Sequence, residues 1–306
     1  MMSALKTPGS VFIAEEYMTP VSQTIRPLTE PLPSDCYEAH DGIRIRPITP
    51  VFGAFIENLP WTAGSGRQNP QSIRTIKEAF DRYLVLVFQP QTASAQELRD
   101  FVRQFGPLFV HHADEGVIPV EDVPEVLQML KEPDGERLFG GVCWHADVTF
   151  RRPAGYLSAL HAKQLPPVGG DTLFASTVAA FAALSPGMQK MLRKLEAVHS
   201  YSGPDAPDHP TETAAHPVVR RHPETGEEGL YLNRMFVTRF VGMTPKESEP
   251  LLKFLDEHMT RCEFTARISW TEGQLVMWDN RFTLHYPIND FSGHRRLLYR
   301  CAAMEN

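Results

Sequence analysis

His145 and Asp147 stand two positions apart in Trp144-His145-Ala146-Asp147-Val148-Thr149-Phe150, and a second histidine, His285, closes the distant segment Asp279-Asn280-Arg281-Phe282-Thr283-Leu284-His285. A charged side chain inside an apolar, aromatic segment needs a partner or a metal. On an extended strand, residues two apart project from one face, so the spacing predicts an imidazole and a carboxylate side by side. The two either pair with each other or with another side chain, or they share a metal with a third group such as His285. Just beyond it, Arg296, Leu298 and Arg300 would share one face of another strand, with Arg295, Leu297 and Tyr299 on the other. Two adjacent guanidiniums repel unless anions lie between them. They are either a solvated edge or a pair of anion sites, one able to grip a carboxylate bidentately.

The chain has 306 residues, enough for one large domain. Residues 1–40, rich in Pro, Thr and Ser, predict an extended arm ahead of a single domain over 41–306. Strands are expected at 43–48, 84–88, 143–150, 155–165, 172–175, 264–270, 274–278 and 295–302. Helices are expected at 70–83, at 246–259, and after Ser94, where Glu97 completes a capping box; two short ones are expected at 179–184 and 188–195. Residues 217–222 and 229–233 flank a hairpin turn at His222-Pro223-Glu224-Thr225-Gly226. Residues 111–140 look irregular apart from the apolar run 126–130, and 202–215 looks like loop, an active-site lid or a surface excursion. Many short strands with turns between them imply a mainly β fold with helical insertions (α+β), a closed double sheet with helices outside.

The net charge of −7 argues against nucleic-acid binding. Cys36, Cys143, Cys262 and Cys301 are widely spaced, which fits a reducing compartment. No apolar run suits a signal peptide or a bilayer span. The expectation is a cytoplasmic protein with no membrane partner.

An HxD or HxE tripeptide is a weak signal alone, and this chain has three. His112-Ala113-Asp114 lies among loop residues, and His222-Pro223-Glu224 lies in the turn. Only His145-Ala146-Asp147 sits in an apolar segment. Two histidines and one carboxylate on one face of a metal, with the other face open, form the constellation of non-haem Fe(II) oxygenases.

At this point the sequence resembles the TauD/TfdA family of Fe(II)- and 2-oxoglutarate-dependent dioxygenases. The matching stretches are 144–150, 165–173 (Leu165-Pro166-Pro167-Val168-Gly169-Gly170-Asp171-Thr172-Leu173), 229–236, 278–281 and 285–300, in family order. The resemblance implies a double-stranded β-helix, or jelly roll. It implies His145, Asp147 and His285 as iron ligands. Arg296, eleven residues past His285, and Thr172 would bind the distal carboxylate of 2-oxoglutarate. Arg300 would hold a substrate anion, and Phe150 and Phe236 would line the substrate pocket. The cofactors implied are Fe(II), 2-oxoglutarate as cosubstrate and O2, with succinate and CO2 as co-products of hydroxylation. Asp147 speaks against a halogenase, because related halogenases lack that carboxylate. A homo-oligomer, dimer or tetramer, is also implied.

The chain departs from the taurine-using pattern. Gly141 replaces an asparagine four residues before the first iron histidine, and the segment after Phe109 keeps His111 and His112 but has no tyrosine. His111 is retained as a candidate substrate contact. The expected substrate is a small anion: a sulfonate, an alkyl sulfate or an aryloxy acid. Two other classes compete, a non-catalytic cupin-like metal-binding protein and a metal-dependent hydrolase. A mere metal binder needs no carboxylate clamp, and a hydrolase needs a general base that these motifs do not supply.

Overall fold

A computed structural model describes residues 37–38, 41–59, 61, 66–110, 118–135, 143–201 and 212–305. The first half supplies strands β1 (Tyr37–Glu38), β2 (Arg44–Pro47), β3 (Ala54–Glu57), β4 (Val85–Phe88), β5 (Pro119–Val120), β6 (Val123–Lys131), β7 (Gly155–Gln164) and β8 (Thr172–Ser176). The second half supplies β9 (Glu196–Tyr201), β10 (Glu212–Pro217), β11 (Val219–Arg221), β12 (Glu228–Leu230), β13 (Val237–Phe240), β14 (Thr265–Ile268), β15 (Leu275–Asp279), β16 (Thr283–Pro287) and β17 (Arg296–Met304). The helices are α1 (Pro70–Tyr83), α2 (Ala95–Val102), α3 (Thr177–Ala182), α4 (Pro186–Leu192) and α5 (Pro245–Met259).

Nine strands form one sheet in the order β1-β2-β3-β4-β15-β7-β17-β6-β5, antiparallel except for the β3–β4 pair. Its central strands are buried on both sides, so β4 and residues 275–278 of β15 read as unbroken apolar runs. Alternation divides them. Leu86, Phe88, Leu275 and Met277 pack with α1 and α2 on the outer face. Val85, Val87, Val276 and Trp278 face inward, against Phe174, Ala175, Ala266, Ile268 and Leu284. Those inward partners belong to a second sheet, β14-β8-β16. The two sheets enclose the jelly roll that the sequence predicted. The small sheets β10-β9-β13 and β11-β12 complete the strand set.

The helix signals hold at residue level. Asn69 accepts from the Ser72 backbone at the start of α1, which ends at Leu84 in the left-handed region (φ 65°). Ser94 and Glu97 make the reciprocal capping box of α2. Several strands escaped the sequence pattern. β6 runs from Val123, not Val126, because Pro124, Glu125 and Gln128 interrupt its apolar pattern. β3, β9, β13 and β16 are short, with no alternation long enough to read. The loop expected over 202–215 is corrected at its end: Glu212 to Pro217 pair with β9 as an edge strand of small and polar residues. The rest of that segment lies outside the described residues, as does most of the arm. Tyr37 and Glu38 join the large sheet by pairing with Ile45 and Arg44.

Candidate active site

His285 lies on β16, and the chain entering β7 touches that strand at one point. There His145 and His285 exchange both backbone hydrogen bonds, at 3.0 and 2.7 Å. Directly opposed residues of an antiparallel pair project to the same face, and the two rings stand 4.0 Å apart, centroid to centroid. The strand expected over 143–150 is therefore corrected to this single bridge followed by a turn. Asp147 gives its N–H to Asn280 Oδ1 (2.9 Å) and not to a ladder, and Val148 has a φ of 56°. A β-branched residue there is strained, at a cost of about 1–3 kcal/mol. Asp147 thus reaches the face of His145 by a turn and not by strand alternation.

Donor atoms of His145, Asp147 and His285 lie within 4.8 Å of one another, and theirs is the metal-competent group found among the described residues. Asp147 Oδ1 sits 4.0 Å from His145 Nε2 and 3.9 Å from His285 Nε2, too far for hydrogen bonds. The three atoms face a common point without bonding each other. His145 Nδ1 lies 3.2 Å from the Cys143 carbonyl, a contact that puts the proton on Nδ1 and leaves the Nε2 lone pair on the cavity side. Burial, reinforced by the neighbouring His145 ring, pushes His285 down to about 3, and burial also lowers His145. Burial alone would raise the Asp147 carboxyl; Arg300, the two histidines and the Ser158 hydroxyl together outweigh it and hold it well below the usual carboxylate range. Two neutral imidazoles and one carboxylate are the donor set that iron takes, and these residues fit the ion.

These three side chains open into a cavity of about 250 Å³ between the sheets, which Thr172, Arg296, Leu298 and Arg300 also line. The predicted alternation on β17 is observed: Arg296, Leu298 and Arg300 are buried, with Leu297 and Tyr299 half-buried between them. Arg296 donates from Nη2 to the Gly170 carbonyl (2.9 Å), while its buried Nε has no partner. Burial draws this guanidinium down to about 10, so it is still charged at neutral pH. Gly170, at φ 74°, leaves it room, because a Cβ there would meet Arg296 Nε at 3.1 Å. Trp270 donates from its indole to Thr172 Oγ1 (3.1 Å), which leaves the threonine hydroxyl hydrogen free to donate. The unpaired Arg296 Nε and this free hydroxyl fit a carboxylate.

Arg300 Nη2 lies 2.9 Å from Asp147 Oδ2. The anion beside this arginine is thus the Asp147 carboxylate, a pairing that spacing alone did not suggest. Apolar side chains make up much of the remaining wall, among them Met129, Leu160, Met235 and Phe236. Tyr201 also lines it, and Phe150 stands behind, stacked on Tyr201 and edge-on to Phe236. His111 and Gly141 lie outside the described residues. Tyr201 and Met235 were missed because they sit at a strand end and in a loop, where no periodicity marks them. Trp278 is buried against the His285 ring and also lines the cavity. Asn233, which had no role in the sequence reading, bonds the Thr149 hydroxyl (3.1 Å) and the Phe236 N–H (2.9 Å), and so ties the Asp147 turn to the cavity wall. The decoy His222 is spent on its own hairpin, accepting at Nδ1 from the Glu224 and Thr225 backbones.

Comparison with known proteins agrees with this geometry. The family model described as taurine catabolism dioxygenase TauD, TfdA family, matches residues 44–302. The chain is 32% identical over 276 residues to an alkylsulfatase of Acinetobacter baylyi, covering 84% of each protein. It is 33% identical over 271 residues to an alpha-ketoglutarate-dependent sulfate ester dioxygenase of Pseudomonas putida, covering 83% of this chain and 87% of that protein. A crystal structure of a taurine dioxygenase from Burkholderia xenovorans superposes with a TM-score of 0.73 at 32% identity, over 86% of this chain and 91% of that one. By its match along most of its length and by the constellation it folds into one cavity, this chain belongs to the TauD/TfdA family.

Proposed function

We propose that the protein is an Fe(II)- and 2-oxoglutarate-dependent dioxygenase that hydroxylates a small anion with an apolar body, a sulfate ester being the favoured class. One observation carries the reading: the His145–Asp147–His285 group shares its cavity with a buried guanidinium, Arg296, whose Nε is unpaired. Iron and 2-oxoglutarate bound there supply the oxidising power, with succinate and CO2 as co-products. The chain supplies binding and geometry. His145, Asp147 and His285 hold the metal; Arg296 and Thr172 hold the distal carboxylate of the cosubstrate. Arg300 orients the substrate anion, and Phe236 and its apolar neighbours exclude water from the body of the substrate.

The wall chemistry narrows the substrate. Asp147 is the sole carboxylate among the described residues lining the cavity. A cationic group such as an amine finds no free acidic partner there, while an alkyl or aryl chain finds Met129, Leu160, Met235 and Leu298. The same absence of a spare carboxylate leaves a hydrolase without a general base in this lining. Two of the relatives act, by name, on sulfate esters. Hydroxylation of the carbon bearing the ester oxygen gives a product that collapses and releases sulfate.

The test is succinate release by purified protein with Fe(II), 2-oxoglutarate and O2 across alkyl sulfates, sulfonates and aryloxy acids. The expected result is release that needs both Fe(II) and 2-oxoglutarate and is strongest with sulfate esters. Sulfate liberated without 2-oxoglutarate, or no substrate-dependent succinate, contradicts the proposal.

A further inference from the structure

Asp147 offers one oxygen to the histidines and turns the other away. Its Oδ2 accepts from the Ser158 hydroxyl at 2.7 Å and from Arg300 at 2.9 Å. The direction of the Ser158 hydroxyl is fixed by a third residue. Asn280 Oδ1 accepts from the Asp147 backbone (2.9 Å) and from the Trp278 indole (3.0 Å), and these two donors settle which end of the amide is oxygen. Asn280 Nδ2 must then donate, and it donates to Ser158 Oγ at 3.0 Å. Arg300 Nη2 also approaches that oxygen, at 3.4 Å. With its lone pairs taken up by donors, the Ser158 hydroxyl has its single hydrogen left for Asp147. Ser158 and Asn280 are both buried.

We infer that Asn280 is a positioning residue that, through Ser158, sets the carboxylate of Asp147 so that Oδ1 alone is presented to a metal. Resting on the metal reading above, the inference extends it to two residues that hold Asp147 and are not themselves among the three metal-competent side chains. Asn280 acts at two points: it fixes the backbone of the strained turn at Asp147–Val148, and it aims the hydroxyl that holds Oδ2. The second action keeps Oδ2 hydrogen-bonded when a substrate anion draws Arg300 away. Outer partners of metal ligands commonly set affinity by 10- to 100-fold, and this chain's carboxylate ligand has such a partner in Ser158.

The experiment is a Co(II) titration of the full-length protein, followed by visible absorption, for wild type, Ser158→Ala and Asn280→Ala, alongside the melting temperature of each metal-free protein. The expected result is a roughly 10- to 100-fold weaker Co(II) affinity in both variants, with Ser158→Ala melting close to wild type without metal. Ser158→Ala removes only a hydroxyl and carries the test if Asn280→Ala does not fold. Unchanged Co(II) affinity in Ser158→Ala overturns the inference, as does a loss of melting temperature with affinity intact, the mark of a merely structural role. Failure of the wild type itself to bind Co(II) overturns instead the metal reading on which the inference stands.

Discussion

His145 and His285, far apart in the chain, are directly opposed residues that exchange both backbone hydrogen bonds. That one bridge delivers two imidazoles to the same side of the jelly roll, and the turn after it delivers Asp147 between them. The site is therefore a property of sheet pairing and not of local sequence. Its consequences can be measured residue by residue.

Arg296→Ala is expected to weaken 2-oxoglutarate binding while sparing the metal. A charge-assisted hydrogen bond contributes about 1.5–3 kcal/mol, equal to a rise of roughly 10- to 100-fold in the cosubstrate dissociation constant. Arg296→Lys should restore little, because an ammonium cannot reproduce the guanidinium fork. Calorimetric titration of the Fe(II)-loaded protein under anaerobic conditions reads the effect. An unchanged constant in the alanine variant removes Arg296 from the site.

Arg300→Ala should raise the KM for an anionic substrate by a similar factor, about 1.5–3 kcal/mol of binding. Because Arg300 also faces Asp147 Oδ2, a smaller loss of metal affinity should accompany it, while 2-oxoglutarate binding stays within a few-fold of wild type. Steady-state kinetics with an alkyl sulfate, plus a metal titration, separate these effects. A substrate constant that does not move would contradict the role.

Gly170→Ala tests the space around Arg296, the proposed cosubstrate clamp. Its φ of 74° disfavours an L side chain, and its Cβ would press on Arg296. The left-handed backbone alone costs roughly 1–2 kcal/mol. The expected outcome is a lower melting temperature together with weaker 2-oxoglutarate binding. A variant with wild-type values for both would show that the close approach is unimportant.

Stability should fall in mild acid. Burial, chiefly, pushes His199 down to about 3 and His216 to about 4, whereas each titrates near 6.5 when unperturbed. Between about 6.5 and 4 the unfolded chain therefore binds more protons than the folded one, so stability is fullest above that window and declines as pH drops through it. Asp81, raised to about 6 by burial and by Glu224, works in the opposite sense, as do Glu227 and Asp256, both raised by burial, but His161, His222 and His258 are lowered by burial too, so the histidines outnumber the carboxyls. Melting temperatures of the metal-free protein from about pH 7 to about pH 5 should drop steadily, and His216→Asn should flatten the slope. A flat wild-type profile would contradict the assignment.

Much of the site was legible before folding. His145 and Asp147 stood out because charge inside an apolar segment demands a partner, and Arg296, Leu298 and Arg300 fell on one face as strand alternation requires. What escaped has a physical reason. Asp147 arrives by a turn whose N–H is held by Asn280, a contact between distant segments that no local pattern encodes. Tyr201 and Met235 line the cavity from positions without periodicity. β10 was hidden because an exposed edge strand of Glu, Thr, Ala, His and Pro carries no apolar alternation.

The central claim is that His145, Asp147 and His285 bind Fe(II) while Arg296 and Thr172 seat 2-oxoglutarate beside it. The most direct measurement is an anaerobic titration of the Fe(II)-loaded protein with 2-oxoglutarate, watching for the visible charge-transfer absorption that a keto acid chelated to ferrous iron produces. The expected band saturates at one equivalent of 2-oxoglutarate per iron, is absent in His285→Ala and needs far more cosubstrate in Arg296→Ala. A wild-type protein that binds Fe(II) and shows no such band contradicts the claim.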